Sequence, residues 1–486
     1  MTTTTTTSAS TSTSTGTGAH AATVAAATAT AAPPTQVFLV STLYGAASLA
    51  AGVDAGLFPP ARRRILLTSN HAVSAEVAPG LARAPGFAAL RARFDEVLDW
   101  NAVIAPQHPS AWAPRAEDVP LWERQLRTLW GLGEDRVELV VESLQVPPAQ
   151  SLCRLFPGAA VDVYADGLMS YGPTRFRLDP QLGTRVRRVL HPDLVPGLEP
   201  LLLTEFGVRA EVLPADALLK VFAELADLAD PAGLAELPEP GAAEGPALLL
   251  GQYLSALDLM TPEEEERLHV SMVRGAHALG HRELVFKPHP GAPLVSSRRA
   301  ELEAERLGAR LTVVAAPVPA ETLYRRLRPA LVVGCFSTGL LTAATLYGLP
   351  VARTGTKAVL ARLTPYPNSN RVPLALVDAL LPDLADADAV RAWRAPGPER
   401  VRAELAGLLT AVGYTMQPRI LAAHRDRAEA YLAALPAPGA WPYATRRRLT
   451  ALGLPGGIPA RLAFLPRSRS VRRAVRRLGR LRRSLS

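Results

Sequence analysis

The residues best suited to chemistry follow short apolar runs that predict β-strands. The run Glu283–Phe286 leads directly into Lys287-Pro288-His289-Pro290. The two prolines fix φ and remove backbone donors, so this turn costs little entropy to hold in one shape. A histidine held there, beside one of only three lysines in the chain, can donate a proton or contact a phosphate. A surface turn with a solvated histidine is the alternative.

A second candidate loop runs from Gly334 to Leu340 and joins the predicted strand Ala330–Val333 to an apolar helix. It contains Ser337-Thr338-Gly339. Small residues let a ligand approach the backbone, and the two hydroxyls can bind an anion at the positive end of the helix. Plain N-capping, which needs only one hydroxyl, is the alternative.

A carboxylate, Asp166, follows the predicted strand Val161–Tyr164 and precedes Gly167. At the carboxyl end of a strand it can accept a proton from a bound hydroxyl. An ordinary Asp-Gly turn explains the same two residues.

Two weaker candidates are Gln252 and Glu321. Gln252 follows the predicted strand Ala247–Leu250 and can contact a base edge or a sugar. Glu321 begins a helix before the Gly334 loop and can accept hydrogen bonds from ribose hydroxyls. Residues of both types more often have a structural role.

The elements that must position these residues alternate between strand and helix. In the first half, the predicted strands are Val37–Val40, Ile65–Thr68, Val137–Val141 and Val161–Tyr164; in the second half they are Ala247–Leu250, Glu283–Phe286, Leu311–Val314 and Ala330–Val333. This alternation predicts an α/β fold with parallel sheets covered on both faces. A Pro/Gly-rich stretch around 230–246 predicts a linker, and two similar units suggest a cleft between them.

Length and composition limit the class of protein. The 486 residues are enough for two or three folded units, and 48% hydrophobic with 20% charged residues is typical of a soluble globular protein. Two cysteines exclude a disulfide scaffold and a cysteine-based zinc cluster. No apolar run is long enough to span a membrane and no leader pattern opens the chain, so we expect a cytoplasmic protein.

These patterns divide the chain into four predicted regions. Residues 1–34 are mostly Thr, Ser, Ala and Gly with no charged residue other than His20, and we expect them to be disordered. We predict Rossmann-like units at 35–235 and 246–430. Residues 441–486 form an arginine-rich tail with thirteen arginines and no acidic residue.

Taken in order, the three main motifs resemble those of the bacterial alpha-2,8-polysialyltransferase family, which lies within the GT-B type bacterial sialyltransferases. That family carries an acidic-acidic-Gly motif, a His-Pro motif and a Ser/Thr motif. Here the corresponding segments are Ala165-Asp166-Gly167, Lys287-Pro288-His289-Pro290 and Phe336-Ser337-Thr338-Gly339. The segments Val40–Leu43 and Leu249–Gln252 are also similar, and the resemblance spans about 36–430.

The resemblance implies a GT-B fold, with two Rossmann-like domains facing a central cleft. The donor would be CMP-sialic acid, held mainly by the second domain, and the acceptor a glycan bound by the first. Asp166 would be the general base and His289 would neutralise the departing phosphate. The donor-binding residues would be Lys287, Pro290, Ser337, Thr338, Gly339, Gln252 and Glu321. No metal or other cofactor would be required, which agrees with the lack of an Asp-X-Asp motif at a predicted strand end.

One position departs from the family pattern. Ala165 replaces the first acid of the acidic motif, while the second acid remains as Asp166. Two alternatives to a sialyltransferase therefore stay open. One is a glycosyltransferase that uses another nucleotide sugar, and the other is a catalytically silent GT-B-like module that binds a glycan or nucleotide.

The tail has its own pattern. In Val471–Leu485, apolar residues recur every three or four positions among arginines, which predicts an amphipathic cationic helix. An anionic membrane surface attracts such a segment by about 1 kcal/mol per basic residue. We therefore expect a peripheral location at the inner face of the cell membrane. A solvated arm is the alternative; no aromatic platform accompanies the charge, so we expect no nucleic-acid partner. The sequence leaves the oligomeric state open.

Overall fold

The fold was obtained as a computed structural model that describes residues 32–72, 80–165, 167–228, 237–238, 245–289, 292, 297–314 and 316–458. Several predictions fall outside these residues: most of the 1–34 segment, most of the linker, and the tail beyond 458. The predicted base Asp166 and the donor-site residue Pro290 also lie outside them.

The first unit is built on a seven-stranded sheet. Its strands are β1 (Thr35–Val40), β2 (Arg63–Thr68), β3 (Glu96–Asp99), β4 (Val137–Val141), β5 (Ala160–Tyr164), β6 (Val186–Pro192) and β7 (Arg209–Leu213). They are ordered β3-β2-β1-β4-β5-β6-β7 and every pair is parallel. The four strands predicted in this half are confirmed, and β3, β6 and β7 were missed.

Helices cover both faces of this sheet. They are α1 (Leu43–Asp54), α2 (Phe87–Arg91), α3 (Trp100–Ile104), α4 (Val119–Leu129), α5 (Ala149–Leu155), α6 (Pro180–Gly183) and α7 (Ala215–Asp227). Strand β1 illustrates the two faces: Val37 and Leu39 pack into one apolar cluster, and Phe38 and Val40 into the other. Burial on both faces explains why Val37–Val40 is an unbroken apolar run rather than an alternating one.

The second unit has a five-stranded parallel sheet. Its strands are β8 (Ala247–Leu250), β9 (Glu283–Lys287), β10 (Arg310–Val313), β11 (Leu331–Gly334) and β12 (Val351–Arg353), in the order β10-β9-β8-β11-β12. The four strands predicted here are confirmed within one residue at each end, and β12 was missed. Lys287 is therefore the last residue of β9 rather than part of the turn.

The helices of the second half are α8 (Pro262–Ala278), α9 (Arg298–Arg306), α10 (Ala320–Leu327), α11 (Thr338–Leu346), α12 (Thr356–Arg362), α13 (Arg371–Leu380), α14 (Ala387–Ala392), α15 (Pro398–Met416), α16 (Arg425–Ala434) and α17 (Arg446–Leu452). Helix α8 begins where Thr-Pro-Glu predicts a start. Thr261 is its N-cap, and its side chain and that of Glu264 bond reciprocally to each other's backbone N–H groups.

The first part of the predicted tail belongs to the folded second unit, so the predicted boundary at 441 is wrong. Leu449 is fully buried and Leu454 is 4% exposed, in the same apolar cluster as Trp441 and Tyr443. Arg448 Nε donates to the Thr415 carbonyl at 2.7 Å. These aromatic and leucine side chains bury enough apolar surface to hold 441–458 against the domain.

The two units contact each other beside a cleft. Tyr171, Leu194 and Val195 of the first unit belong to the apolar cluster of the second, and Thr345 Oγ1 donates to the Leu194 carbonyl at 2.9 Å. Two Rossmann-like units facing a cleft form the GT-B fold. None of the helices in the described ranges combines the length and apolar character needed to cross a bilayer.

Candidate active site

In both sheets the strand order reverses at one point, which is where open α/β folds bind ligands. The reversal lies between β1 and β4 in the first sheet and between β8 and β11 in the second. The segments after β8 and β11 carry Gln252 and residues 337–339, and those after β5, β9 and β10, with the last residue of β9, carry the other residues selected from the sequence. The fold therefore collects them at the carboxyl edges of the sheets, facing the cleft.

A cavity of about 330 Å³ lies between the two edges. Its wall contains six of the predicted residues: Lys287, His289, Glu321, Ser337, Thr338 and Gly339. Thr42, Leu43 and Tyr44 line it from the first unit, and Leu250, Gly251, Pro288 and 317–320 complete it. Segments far apart in the sequence thus form one site.

Lys287 is the main cation of this cavity. Its side chain is buried, with 7% exposed, and Nζ donates to the Pro288 carbonyl at 3.0 Å. Burial lowers the pKa of Lys287 to about 8, against a smaller raising effect of the Glu321 carboxylate. An anion entering the cavity would stabilise the ammonium and offset the cost of its burial.

His289 lies at the mouth of the cavity with an exposed edge, and its ring lies 6.5 Å from that of Tyr253. Burial of part of the ring and the neighbouring Lys287 ammonium lower the pKa of His289, while Glu265 acts in the opposite direction. These effects favour the neutral imidazole. A bound anion would favour its protonated form.

Ser337 and Thr338 begin α11, whose positive end points into the cavity. Ser337 is the N-cap, and its Oγ accepts from the Gly339 N–H at 3.2 Å, so one hydroxyl has the predicted capping role. Thr338 is the second hydroxyl at this end. Gly339 has a packing reason of its own, because a Cβ there would lie 2.7 Å from Tyr324 Oη.

Glu321 and Gln252 have structural partners as well. Glu321 is 3% exposed and accepts from Thr342 Oγ1 at 2.7 Å, and burial raises its pKa. Gln252 Oε1 accepts from the Phe336 N–H at 2.7 Å, which ties the loop after β8 to the loop after β11. Gln252 therefore positions the Ser337 loop from outside the cavity wall.

The segment around Asp166 meets the second unit through its next residue, Gly167. A Cβ at Gly167 would lie 2.8 Å from Thr338 Oγ1, so the Thr338 side chain packs directly against the Gly167 backbone. Ala165, on the other side, packs against the apolar cluster on one face of the first sheet. The acidic motif and the Ser/Thr motif thus lie against each other across the cleft.

The first-unit wall of the cavity was missed as a functional element. Thr42 caps α1 by accepting from the Gly45 N–H at 2.9 Å, and the start of α1 lines the cavity opposite the start of α11. The sequence contains a pattern that could have indicated this wall: Ser41-Thr42 follows a strand and opens a helix, as Ser337-Thr338 does.

A buried lysine, a histidine and a helix N-terminus that converge on one cavity suit an anionic ligand. Comparison with known proteins adds the family. Residues 36–356, more than half of the chain, match the family model for alpha-2,8-polysialyltransferase (POLYST). The chain belongs to the alpha-2,8-polysialyltransferase family. This polysialyltransferase relative is therefore a glycosyltransferase of the sialyltransferase type, as the resemblance implied, and it binds a nucleotide-sugar donor and a glycan acceptor.

Several solved structures are similar to this chain at low sequence identity. A UDP-GlcNAc 2-epimerase from Methanocaldococcus jannaschii is 10% identical with a TM-score of 0.40, covering 74% of this chain and 90% of the epimerase. MurG from Acinetobacter baumannii is 11% identical with a TM-score of 0.37, covering 81% and 98%. The GT-B domain of a sialyltransferase from Photobacterium damselae is 12% identical with a TM-score of 0.37, covering 71% and 96%. No curated protein sequence matches the chain.

Proposed function

We propose that this enzyme transfers sialic acid from CMP-sialic acid to a glycan acceptor by a metal-independent inverting displacement. The observation that supports this most is the convergence of Lys287, His289 and the start of α11 on one cavity. The donor carries a phosphate next to the bond that breaks, and these groups suit that phosphate.

In the proposed complex, the phosphate lies against Ser337, Thr338 and the first backbone N–H groups of α11. Lys287 adds a positive charge that needs no rearrangement, because it is already buried in the wall. The phosphate raises the pKa of His289, so the imidazole takes up a proton when the donor binds. Gln252 holds the loop before Ser337 in place throughout.

The displacement then needs one base and one neutralised leaving group. An acceptor hydroxyl attacks the anomeric carbon of sialic acid, its proton passes to Asp166, and the bond from that carbon to the phosphate oxygen breaks. CMP leaves with the bonding electrons, and protonated His289 neutralises the charge that develops on its phosphate. Attack opposite to the leaving group inverts the anomeric configuration.

Metal independence follows in this proposal from the protein's own cations. Lys287 and His289 supply positive charge at the phosphate, which is the role that a divalent ion would otherwise have. Turnover should therefore persist in excess EDTA. Loss of turnover in EDTA that Mg²⁺ restores would contradict this part of the proposal.

The decisive experiment is CMP binding by calorimetry, with UDP and GDP as competitors of different base. We expect selective CMP binding that weakens in His289→Ala and stays unchanged in His277→Ala, a histidine of α8 outside the cavity. Tighter binding of UDP or GDP would keep the fold and change the donor. Selective CMP binding without turnover of CMP-sialic acid would favour a catalytically silent module.

We also propose that residues 459–486 bring the enzyme to an anionic membrane surface. They contain ten arginines and no acidic residue. The full chain should co-sediment with vesicles rich in phosphatidylserine, less so as salt rises, and the chain lacking 459–486 should not. Equal sedimentation of the two chains would refute this location.

A further inference from the structure

One side chain bridges the reversal point of each sheet. In the second sheet this is Gln252, whose oxygen accepts from the Phe336 N–H across the β8–β11 gap. In the first sheet it is Glu142, the residue directly after β4, which reaches the loop after β1. Glu142 has no role in the proposed reaction as described above.

The contacts of Glu142 reach both neighbouring strands. Its Oε2 accepts from Ser41 Oγ at 2.9 Å and lies 3.4 Å from the Tyr164 hydroxyl. Tyr164 Oη also lies 3.1 Å from the Leu39 carbonyl oxygen, so the tyrosine is held at the end of β5 beside β1. Gly45 makes room for this arrangement, because a Cβ there would lie 3.1 Å from Tyr164 Oη.

Each partner of Glu142 adjoins a part of the site. Ser41 precedes Thr42, which lines the cavity and caps α1. Tyr164 ends β5 two residues before Asp166, and Gly167 then meets Thr338. The Glu142 carboxylate therefore lies between the cavity wall of the first unit and the strand end that leads to the base.

We propose that Glu142 is a positioning residue for the transfer step. Its carboxylate holds the Ser41 turn and the end of β5 at Tyr164 together, so that the strand end that leads to the acidic motif stays beside the donor cavity. Hydrogen bonds to a charged acceptor are stronger than neutral ones, which suits a carboxylate for this role. A misplacement of about 1 Å at a reacting group costs on the order of 10²-fold in rate. This inference rests on the proposed function, because it concerns the same transfer step.

The test compares kcat and the donor KM of four variants: Glu142→Ala, Glu142→Gln, Ser41→Ala and the double variant Glu142→Ala with Ser41→Ala. We expect Glu142→Ala to lower kcat about tenfold or more, with little change in CMP affinity. Glu142→Gln should recover part of the loss, because its amide oxygen still accepts from Ser41. The double variant should be no slower than Glu142→Ala alone, because both changes break the same contact.

A matched control is Glu123→Ala, which removes a half-buried, hydrogen-bonded carboxylate from the outer helix α4. It should leave kcat unchanged. A wild-type kcat in Glu142→Ala, or losses that multiply in the double variant, would overturn the positioning role alone. A wild type that does not turn over CMP-sialic acid refutes the proposed function and this inference together, and is recognised before any variant is made.

Discussion

The two carboxyl edges that face the cleft have the same topology but opposite chemistry. The edge of the second sheet presents the Lys287 ammonium, His289 and the N-terminus of α11. The edge of the first sheet presents the hydroxyls of Ser41 and Thr42 and the Glu142 carboxylate. One edge suits an anion and the other suits the removal of a proton.

This division has a physical advantage for a displacement reaction. A carboxylate beside an ammonium has a lowered pKa and is a weaker base, whereas a carboxylate on the opposite edge keeps its basicity. Glu321, on the cationic side, is an exception: it is bonded to Thr342, and burial raises its pKa more than the Lys287 ammonium lowers it. The strand end that leads to the proposed base and the proposed phosphate site thus belong to different sheets.

The largest expected effect comes from removing the base of the first edge. Asp166→Ala should lower kcat by about 10²–10⁴-fold, because no other group takes the proton, while CMP affinity stays unchanged. Steady-state kinetics measures the loss of kcat, and calorimetry on the same preparation measures the CMP affinity. A parallel loss of CMP binding would mean that Asp166 also binds the donor. Proton removal and phosphate binding would then not be separated between the two edges.

The next effect concerns the anion site of the second edge. Ser337→Ala with Thr338→Ala should weaken CMP binding about tenfold or more, because the phosphate loses two hydroxyl donors. The Ser337 change alone should also lower Tm, since it removes the cap of α11. Thr128→Ala, which removes an exposed hydroxyl of α4, is the control. Unchanged CMP affinity in the double variant would contradict the phosphate assignment.

A smaller effect is expected where the two edges touch. Gly167→Ala adds a Cβ that would lie 2.8 Å from Thr338 Oγ1, so either the Thr338 side chain rotates away or the two edges separate. We expect kcat to fall several-fold, with a modest loss in Tm. Gly158→Ala is the control, because a Cβ there meets nothing within 4 Å. Wild-type kinetics in Gly167→Ala would show that the close approach is not needed for turnover.

The smallest effect is a pH dependence of donor binding. The pKa of Lys287 is lowered by burial to about 8, so the ammonium loses its proton as pH rises through that value. CMP affinity should therefore fall on the alkaline side, by at most about fourfold between pH 7 and pH 8.5. Calorimetry from pH 6 to pH 8.5 measures this, and Lys287→Met should abolish the alkaline decline. If CMP affinity still declines at alkaline pH in Lys287→Met, a group other than Lys287 causes the decline.

Much of the site followed from local pattern. The runs that became β5, β8, β9 and β11 are apolar because their strands are buried, and each is followed by a polar or small residue where the strand leaves the sheet. The motif residues Lys287, His289, Ser337 and Thr338 were therefore found by position as well as by type. Their meeting in one cavity agrees with that reasoning.

Other elements were missed because distant partners stabilise them. Strand β6 contains Arg187 and Arg188, and these two charged residues make its sequence look like a polar, non-strand segment. Both arginines bind Asp162 of β5, which is fully buried, and Arg187 also binds Glu138. Ion pairs between strands thus let charged residues occupy a sheet, and a local reading of the sequence does not reveal them.

The sequence by itself determined the alternation of strands and helices, the family, and which short motifs end their strands. These properties depend on residue type and periodicity, which are local. Tertiary structure decided that 441–458 packs onto the second unit, that Gly167 meets Thr338, and that Glu142 joins Ser41 to Tyr164. Contacts of this kind depend on the order of strands in a sheet and on how two domains face each other. Residues a hundred positions apart become neighbours only when that order is fixed.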